Sequence, residues 1–371
     1  MRRQTRIDGA LVMVPLAQRR LTLEIRQAMP WQSQALILCA AAVFGLILSV
    51  LILLAAGITG EDLIKEFGEN FFDSQNLKAV LFQAAPLIMI GLAASLAFRA
   101  RFWNLGLEGQ MIFGAIGATA VSIWSVGPEQ LRLPIMLLAS LSLGLLWSVA
   151  PALLKLRLGV NEIISSLMLN YVAAYFLLHL VYGDWKDAKS SFPHSPQFAA
   201  FERLPELYGG VSSALLLGAV VAFLAWWYTN KSRGGLYLRL ISANAKMASA
   251  VGAPVQAIVL ATVLASGALA GAAGFVIAAG QEGRLTQGFF QGYGFSGILI
   301  AFLARNNPIA ASMVAVLVAG LFVTGRTLQV FYQIPFSMVQ LIQAIIVICV
   351  ACSEFFIRHR VRLQASPSKA N

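Results

Sequence analysis

The sequence predicts an all-α polytopic membrane protein of about ten transmembrane helices, with spans 2–5 and 7–10 forming two inverted four-helix units. Three observations carry that expectation. Of 371 residues, 58% are hydrophobic and only 12% charged, and the mean hydropathy is +0.76. The apolar residues gather in continuous runs rather than in alternation, which selects helices. Runs of that length in lipid must satisfy their backbone amides internally. At about 20 apolar residues per span the composition fills on the order of ten spans, so a soluble enzyme is nearly excluded.

The first 34 residues are polar and basic, with Arg2, Arg3, Arg6, Arg19, Arg20 and Arg26 ahead of an apolar run at 35–57. A secretory signal is shorter in both parts, so this reads as a retained first span with its amino terminus in the cytoplasm. Further runs follow at about 79–98, 107–125, 133–154, 160–182, 211–229, 255–279, 292–304, 308–324 and 335–357. The expected organisation is a cytoplasmic basic segment 1–34, a transmembrane domain 35–357 and a cytoplasmic basic tail 358–371.

Charge supports that orientation. The formal net charge is +11, and 19 of the 27 Lys and Arg fall in segments that this topology places inside. Eleven of the 16 acidic residues fall outside, with Glu61, Asp62, Glu66, Glu69 and Asp73 in one loop. The opposite orientation violates the positive-inside tendency throughout. The basic excess is spread over loops rather than focused on one face, so no nucleic-acid partner is expected.

Two loops are long enough for structure of their own. The outer one, 183–210, carries Asp184, Trp185, Lys186 and Asp187, and suits packing on the outer surface or an extracytoplasmic partner. The inner one, 230–254, has Leu236, Leu240 and Met247 at near-helical spacing among Arg239, Asn244 and Lys246, which predicts a short amphipathic helix along the cytoplasmic face.

Each four-span unit has a Gly-rich interruption after its first span, followed by an unusually short one: FRARFWNLGLEGQ (98–110) and GQEGRLTQGFFQGYGFSG (280–297). Interruptions in matching places point toward a central permeation pathway. Close helix packing accounts for Gly114, Gly117, Gly271 and Gly274. It accounts poorly for Asn104, Glu108, Gln110, Gln281 and Glu282.

No Walker A sequence, H-E-x-x-H or intact G-x-S-x-G is present, and the C-x-x-C spacing of Cys349 and Cys352 falls inside an apolar run rather than beside a βαβ pattern. Gly294-Phe295-Ser296-Gly297 superficially resembles an intramembrane protease string, but its only downstream histidine, His359, lies in the basic tail. Cys39, Cys349 and Cys352 sit in apolar runs, and His179, His194 and His359 are scattered, so neither disulfides nor a metal or cofactor is expected. Carboxylates near spans are functional candidates by default. Glu162, with Asn161, opens the fifth span, where helix capping and function are equally compatible. Glu108 lies in an interruption whose freed backbone amides it is placed to accept. Glu354 closes the last span as an interfacial charge. A mid-membrane nearly empty of charge weighs against an ion-coupled secondary transporter and favours a pathway energised by another subunit.

NLGLEGQMIFGAIGA (104–118) resembles the N-[IL]-G-x-E-G-Q element of inner-membrane permeases of ABC importers of the branched-chain amino acid, ribose and nucleoside group. GVNEIISSLMLNYVA (159–173) is similar to the element of its simple-sugar and nucleoside branch. GLYLRLISANAKMASAVGA (235–253) resembles the pattern that docks on the ATPase, matched at Gly235, Arg239, Asn244, Ala248 and Gly252, with Ser242 where glycine is common. The resemblance implies a permease subunit carrying nucleosides or related simple sugars across the bacterial inner membrane, with ribose-type sugars and branched-chain amino acids as alternatives. It also implies separate cytoplasmic ATP-binding subunits, a second identical or homologous permease and an extracytoplasmic solute-binding protein. Asn104, Glu108, Gln110, Asn161, Glu162 and Asn170 would then lie around the translocation route, joined by Gln281 and Glu282 of the second interruption.

Overall fold

The computed structural model describes residues 3–7, 10–14, 19–25, 29–63, 74–207, 211–289, 292–333 and 335–365. Glu66, Glu69 and Asp73 of the acidic outer loop, and Phe290 and Gln291 of the second interruption, lie outside the described residues. Among the described residues the chain forms helices α1 (Trp31–Ala55), α2 (Ser74–Arg99), α3 (Leu107–Ile123), α4 (Glu129–Leu158), α5 (Glu162–Tyr182) and α6 (Ser213–Lys231). There follow α7 (Arg233–Ala250), α8 (Val255–Phe275), α9 (Tyr293–Leu303), α10 (Pro308–Tyr332) and α11 (Phe336–Arg358). Every expected apolar run lies on one of these helices, and the expected inner helix is α7. The largest extension is at the end of α10, expected at 324 and found at Tyr332.

Eight described helices are long and apolar enough to cross a membrane, and α3 and α9 are shorter. The 11 residues of α9 reach only about 16 Å at 1.5 Å per residue, roughly half a hydrocarbon core. Both short helices follow an interruption, as the two Gly-rich strings suggested.

Within residues 53–343, a compact unit, the packing repeats. α2 lies against α8; α4 packs on α8 as α10 packs on α2; α3 packs on α8 as α9 packs on α2. α2 and α8 run antiparallel: the Ser266 hydroxyl donates to Ala93 O (2.8 Å), and toward the other end Gln281 Nε2 donates to Phe82 O (3.4 Å). Left-handed residues also fall in register. Arg101 (φ 55°) follows α2 and Gly283 (65°) follows the seven-residue π-helical end of α8. Ser125 (49°) follows α3 and Arg305 (52°) follows α9, while Gly159 (66°) follows α4 and Gln333 (52°) follows α10. Two units of opposite direction therefore share one packing plan.

Small residues allow α3, α4 and α8 to meet. A Cβ on Gly114 would strike the Gly271 backbone, one on Gly271 would strike Ser140 O, and one on Gly274 would strike Met111 O. On α2, Pro86 lacks an N–H and leaves the carbonyl four residues earlier, Phe82 O, without its helical donor. Gln281 supplies one.

Residues 1–52 and 344–371 form a second compact unit. In it α1 approaches α11 closely, since a Cβ on Gly45 would lie 3.1 Å from Ile346 Cα. Strands β1 (Arg3–Ile7) and β2 (Ala10–Val14) pair antiparallel. Strand β3 (Arg19–Ile25) pairs antiparallel with the tail strand at His359–Ala365, Arg19 opposite Ala365.

Candidate functional site

The interruption at 100–106 turns back into the protein, so that α3 begins deep inside. Asn104 is fully buried, and its amide forms a reciprocal pair with Gln110: Asn104 Nδ2 donates to Gln110 Oε1 (3.0 Å) and Gln110 Nε2 to Asn104 Oδ1 (3.1 Å). Asn104 Nδ2 also donates to the Ser266 hydroxyl of α8 (3.2 Å), and Oδ1 accepts the Gly106 N–H (3.1 Å). An amide pair of this kind satisfies the polar atoms that a non-helical segment exposes in an apolar interior.

Glu108 is 6% exposed. One carboxyl oxygen accepts the Gly292 N–H (3.1 Å) and the other the Gly294 N–H, so the side chain on the first turn of α3 closes the amino terminus of α9. A helix amino terminus has free N–H groups and favours negative charge. The two short helices thus meet end to end through one side chain.

α5 is stitched to the same segment at one-turn intervals. Glu162 pairs with Lys155 and accepts the Trp103 N–H (3.4 Å). The Ser166 hydroxyl accepts the Leu105 N–H (3.2 Å). Asn170 Oδ1 accepts the Gly109 N–H (2.9 Å) while its Nδ2 donates to Leu105 O (2.7 Å). Asn161 is exposed and caps α5, accepting the Ile163 N–H (2.9 Å). Five sequence candidates, Asn104, Glu108, Gln110, Glu162 and Asn170, therefore converge, with Asn161 beside them. Gln281 and Glu282 lie elsewhere, at the π-helical end of α8. Gln281 accepts the Tyr293 hydroxyl (3.1 Å), which itself accepts from Gln83 (2.6 Å). Glu282 is half-buried.

A cavity of about 200 Å³ opens beside Glu108 and Asn170, walled by Tyr171, Phe295 and Gln340. These three escaped sequence reasoning. Tyr171 and Tyr175, four residues apart near the middle of a span and 57% and 71% exposed, carried a detectable signal, because a phenol is costly in bare hydrocarbon.

α7 is where the inner amphipathic helix was expected, but its inward face differs. Leu236, Leu240 and Met247, read as the apolar stripe, are 57%, 37% and 67% exposed. The residues packed inward are Leu238, Ile241 and Ala248, against Ala100, Phe102, Ala152 and Val263. The helical phase changes at Asn244, whose backbone is extended (φ −156°, ψ 109°), so one stripe cannot run through both halves. Asn244 Oδ1 caps the second half, accepting the Lys246 and Met247 N–H groups (3.0 and 3.3 Å). Gly235 fits against α6, where a Cβ would strike Tyr228 O. Arg239 donates to Thr229 O (3.2 Å) and Asn230 Oδ1 (2.9 Å), closing the carboxyl end of α6. Gly252 (φ 84°) makes the turn into α8.

The outer loop folds onto the second interruption. Ser195 N donates to Leu285 O and Phe198 N to Gly283 O (2.9 and 2.8 Å). Glu202, 3% exposed, anchors it by accepting from Ser122 (2.7 Å), Arg132 (3.2 Å) and the Ala199 N–H (2.9 Å).

Buried amide and carboxyl groups in interrupted segments and short helices meeting end to end suit the anatomy of a membrane permease. Residues 76–351 match the family described as branched-chain amino acid transport system / permease component, and the chain belongs to that family. It is 35% identical to the glucose ABC transporter permease protein TsgB13 of Haloferax volcanii, over 80% of this chain and 81% of that one. It is 31% identical to the guanosine ABC transporter permease protein NupP of Bacillus subtilis, over 86% and 94%. It is 28% identical to the nucleoside ABC transporter permease protein NupC of Lactococcus lactis subsp. cremoris, over 71% and 86%. The protein is a multi-pass membrane permease subunit of an ABC transporter.

Proposed function

We propose that this chain is the permease of an importer for nucleosides or related simple sugars in a bacterial inner membrane, with both termini cytoplasmic. It would be driven by separate ATP-binding subunits, be paired with a second identical or homologous permease, and be fed by an extracytoplasmic solute-binding protein. The observation that carries the reading is family membership together with similarity to guanosine, nucleoside and glucose permeases. The chemistry of the cavity supports it. Asn170 and Gln340 offer amides, Tyr171 and Phe295 offer ring faces, and no basic side chain lines the wall. Such a wall suits an uncharged, hydroxylated solute with a flat ring. It suits a branched-chain amino acid poorly, because the helix terminus able to receive a carboxylate is already filled by Glu108.

The exposed stripe of Ile164, Met168, Tyr171 and Tyr175 on α5 fits a surface covered by the second permease or facing the pathway, rather than lipid. Asn104 and Gln110 act as the frame of the pathway, and Glu108 and Asn170 border it. Leu236, Leu240 and Met247 are the face of α7 offered to the ATPase. With no Walker A sequence in the chain, hydrolysis falls to that partner. The test is ATP-dependent uptake in proteoliposomes holding both permeases, the ATPase and the binding protein. Guanosine uptake is the expected result. Glucose uptake without guanosine uptake moves the assignment to sugars, the reading that the 35% relative favours. Uptake driven by an ion gradient without any ATPase overturns the proposal.

A further inference from the structure

The segment 100–109 touches α7, α4, α5 and α9 within ten residues; Ala100 and Phe102 pack on α7 through apolar contact, and Arg101 adds side-chain hydrogen bonds to it. α7 breaks at Asn244, which leaves the carbonyls at the end of its first half without helical donors. Arg101 fills that gap. Its Nε and Nη2 donate to Ser242 O (3.1 and 2.9 Å), and Nη2 also donates to Ala243 O (2.8 Å). A planar guanidinium holds two carbonyls in a fixed geometry, which a point-charge ammonium does not.

The backbone of Arg101 points the other way. Held at φ 55°, it presents its carbonyl to Lys155 Nζ (2.9 Å) at the end of α4. Lys155 pairs with Glu162, the first residue of α5. From there α5 is bonded to Trp103, Leu105 and Gly109 through Glu162, Ser166 and Asn170. One residue thus joins the break in α7 to the stitched stripe of α5.

We propose that Arg101 is the positioning residue that converts displacement of α7 into displacement of α5, and thereby couples ATP hydrolysis to opening of the pathway. This rests on the reading above that α7 meets the ATPase. Arg101 touches no solute; its effect passes through Lys155 and Glu162.

The experiment uses the complete reconstituted transporter, measuring uptake of guanosine, or of glucose if that is the solute carried, and ATP hydrolysis on one preparation. Arg101→Gln is expected to retain hydrolysis while uptake per ATP falls about fivefold or more, the scale of a site-to-site coupling term. Arg101→Lys, keeping the charge without the fork, is expected to be intermediate. The double variant Lys155→Met, Glu162→Gln, which leaves Arg101 in place, is expected to lower the same ratio. An unchanged ratio in Arg101→Gln, or in the double variant should Arg101→Gln not assemble, overturns the inference. Cross-linking of Met247→Cys to the ATPase separates this from the docking reading. No cross-link in the otherwise wild-type chain overturns both, whereas a retained cross-link with an unchanged ratio overturns only the role of Arg101.

Discussion

Glu108 accepts the backbone N–H of Gly294, 186 residues further along the chain, and so ties the first turn of one short helix to the first turn of the other. Removing the side chain leaves the part-buried Gly292 N–H and the buried Gly294 N–H, at the start of α9, without an acceptor. Glu108→Ala is expected to cost about 3 kcal/mol, the scale of hydrogen bonds to a charged group lost from a buried site. Glu108→Gln keeps one carbonyl oxygen and is expected to cost less. Thermal unfolding of the purified protein in detergent reads both, and an unaltered Glu108→Ala midpoint would refute the role.

Glu202 holds the outer loop to α3 and α4 from a nearly sealed position. In Glu202→Ala, Arg132 loses its buried partner, a change that costs about 3 kcal/mol or more. Much of that cost is expected to appear locally, as release of the loop. Trypsin added from the outer side should then cut at Lys186 and Lys189 faster than in the wild type, and equal rates would count against the anchor.

A Cβ on Gly271 would strike Ser140 O and lie 3.1 Å from Gly144 Cα, both on α4. Gly271→Ala is therefore expected to push α4 from α8 and destabilise by about 1–3 kcal/mol, as overpacking of a close interface does. Gly288, where a Cβ meets nothing within 4 Å, is the control. Equal unfolding midpoints for Gly271→Ala and Gly288→Ala would show the crossing to be looser than described.

The two faces of α7 give opposite outcomes. Met247→Cys is expected to cross-link to the ATPase subunit and Ala248→Cys is not, because Ala248 is 1% exposed in a cluster with Phe102, Ala152 and Val263. Arg239→Glu sets a carboxylate against Thr229 O and should uncouple hydrolysis from uptake while leaving membrane insertion intact. Equal cross-linking from positions 247 and 248 would mean that the helix presents another face.

The spans were legible because lipid imposes length and apolarity on each of them, and α9 announced its shortness by the Gly-rich string before it. Asn104, Glu108 and Gln110 were visible as polar residues that packing could not explain. Their partners were not, since no local pattern says that Glu108 will reach Gly294 or that Gln281 will supply a donor to the carbonyl freed by Pro86. The inward face of α7 was misread for a local reason. Leu236 and Leu240 share a face of the first half that stays exposed while Leu238 and Ile241 pack inward, and the extended Asn244 resets the phase before Met247, so periodicity alone does not say which apolar face is covered.

The matched left-handed residues bear on how internal symmetry is found at all. In two of the three pairs, Arg101 with Gly283 and Gly159 with Gln333, one half keeps glycine and the other a side chain that resists that conformation. Letter-by-letter comparison of the halves scores these positions as mismatches, although they are where the chain bends alike. The sign of φ is the more durable record. Placing glycine at Arg101 or Gln333 would relax about 1 kcal/mol of strain without moving the bend, so freedom at the turn and identity of the turn are separable properties.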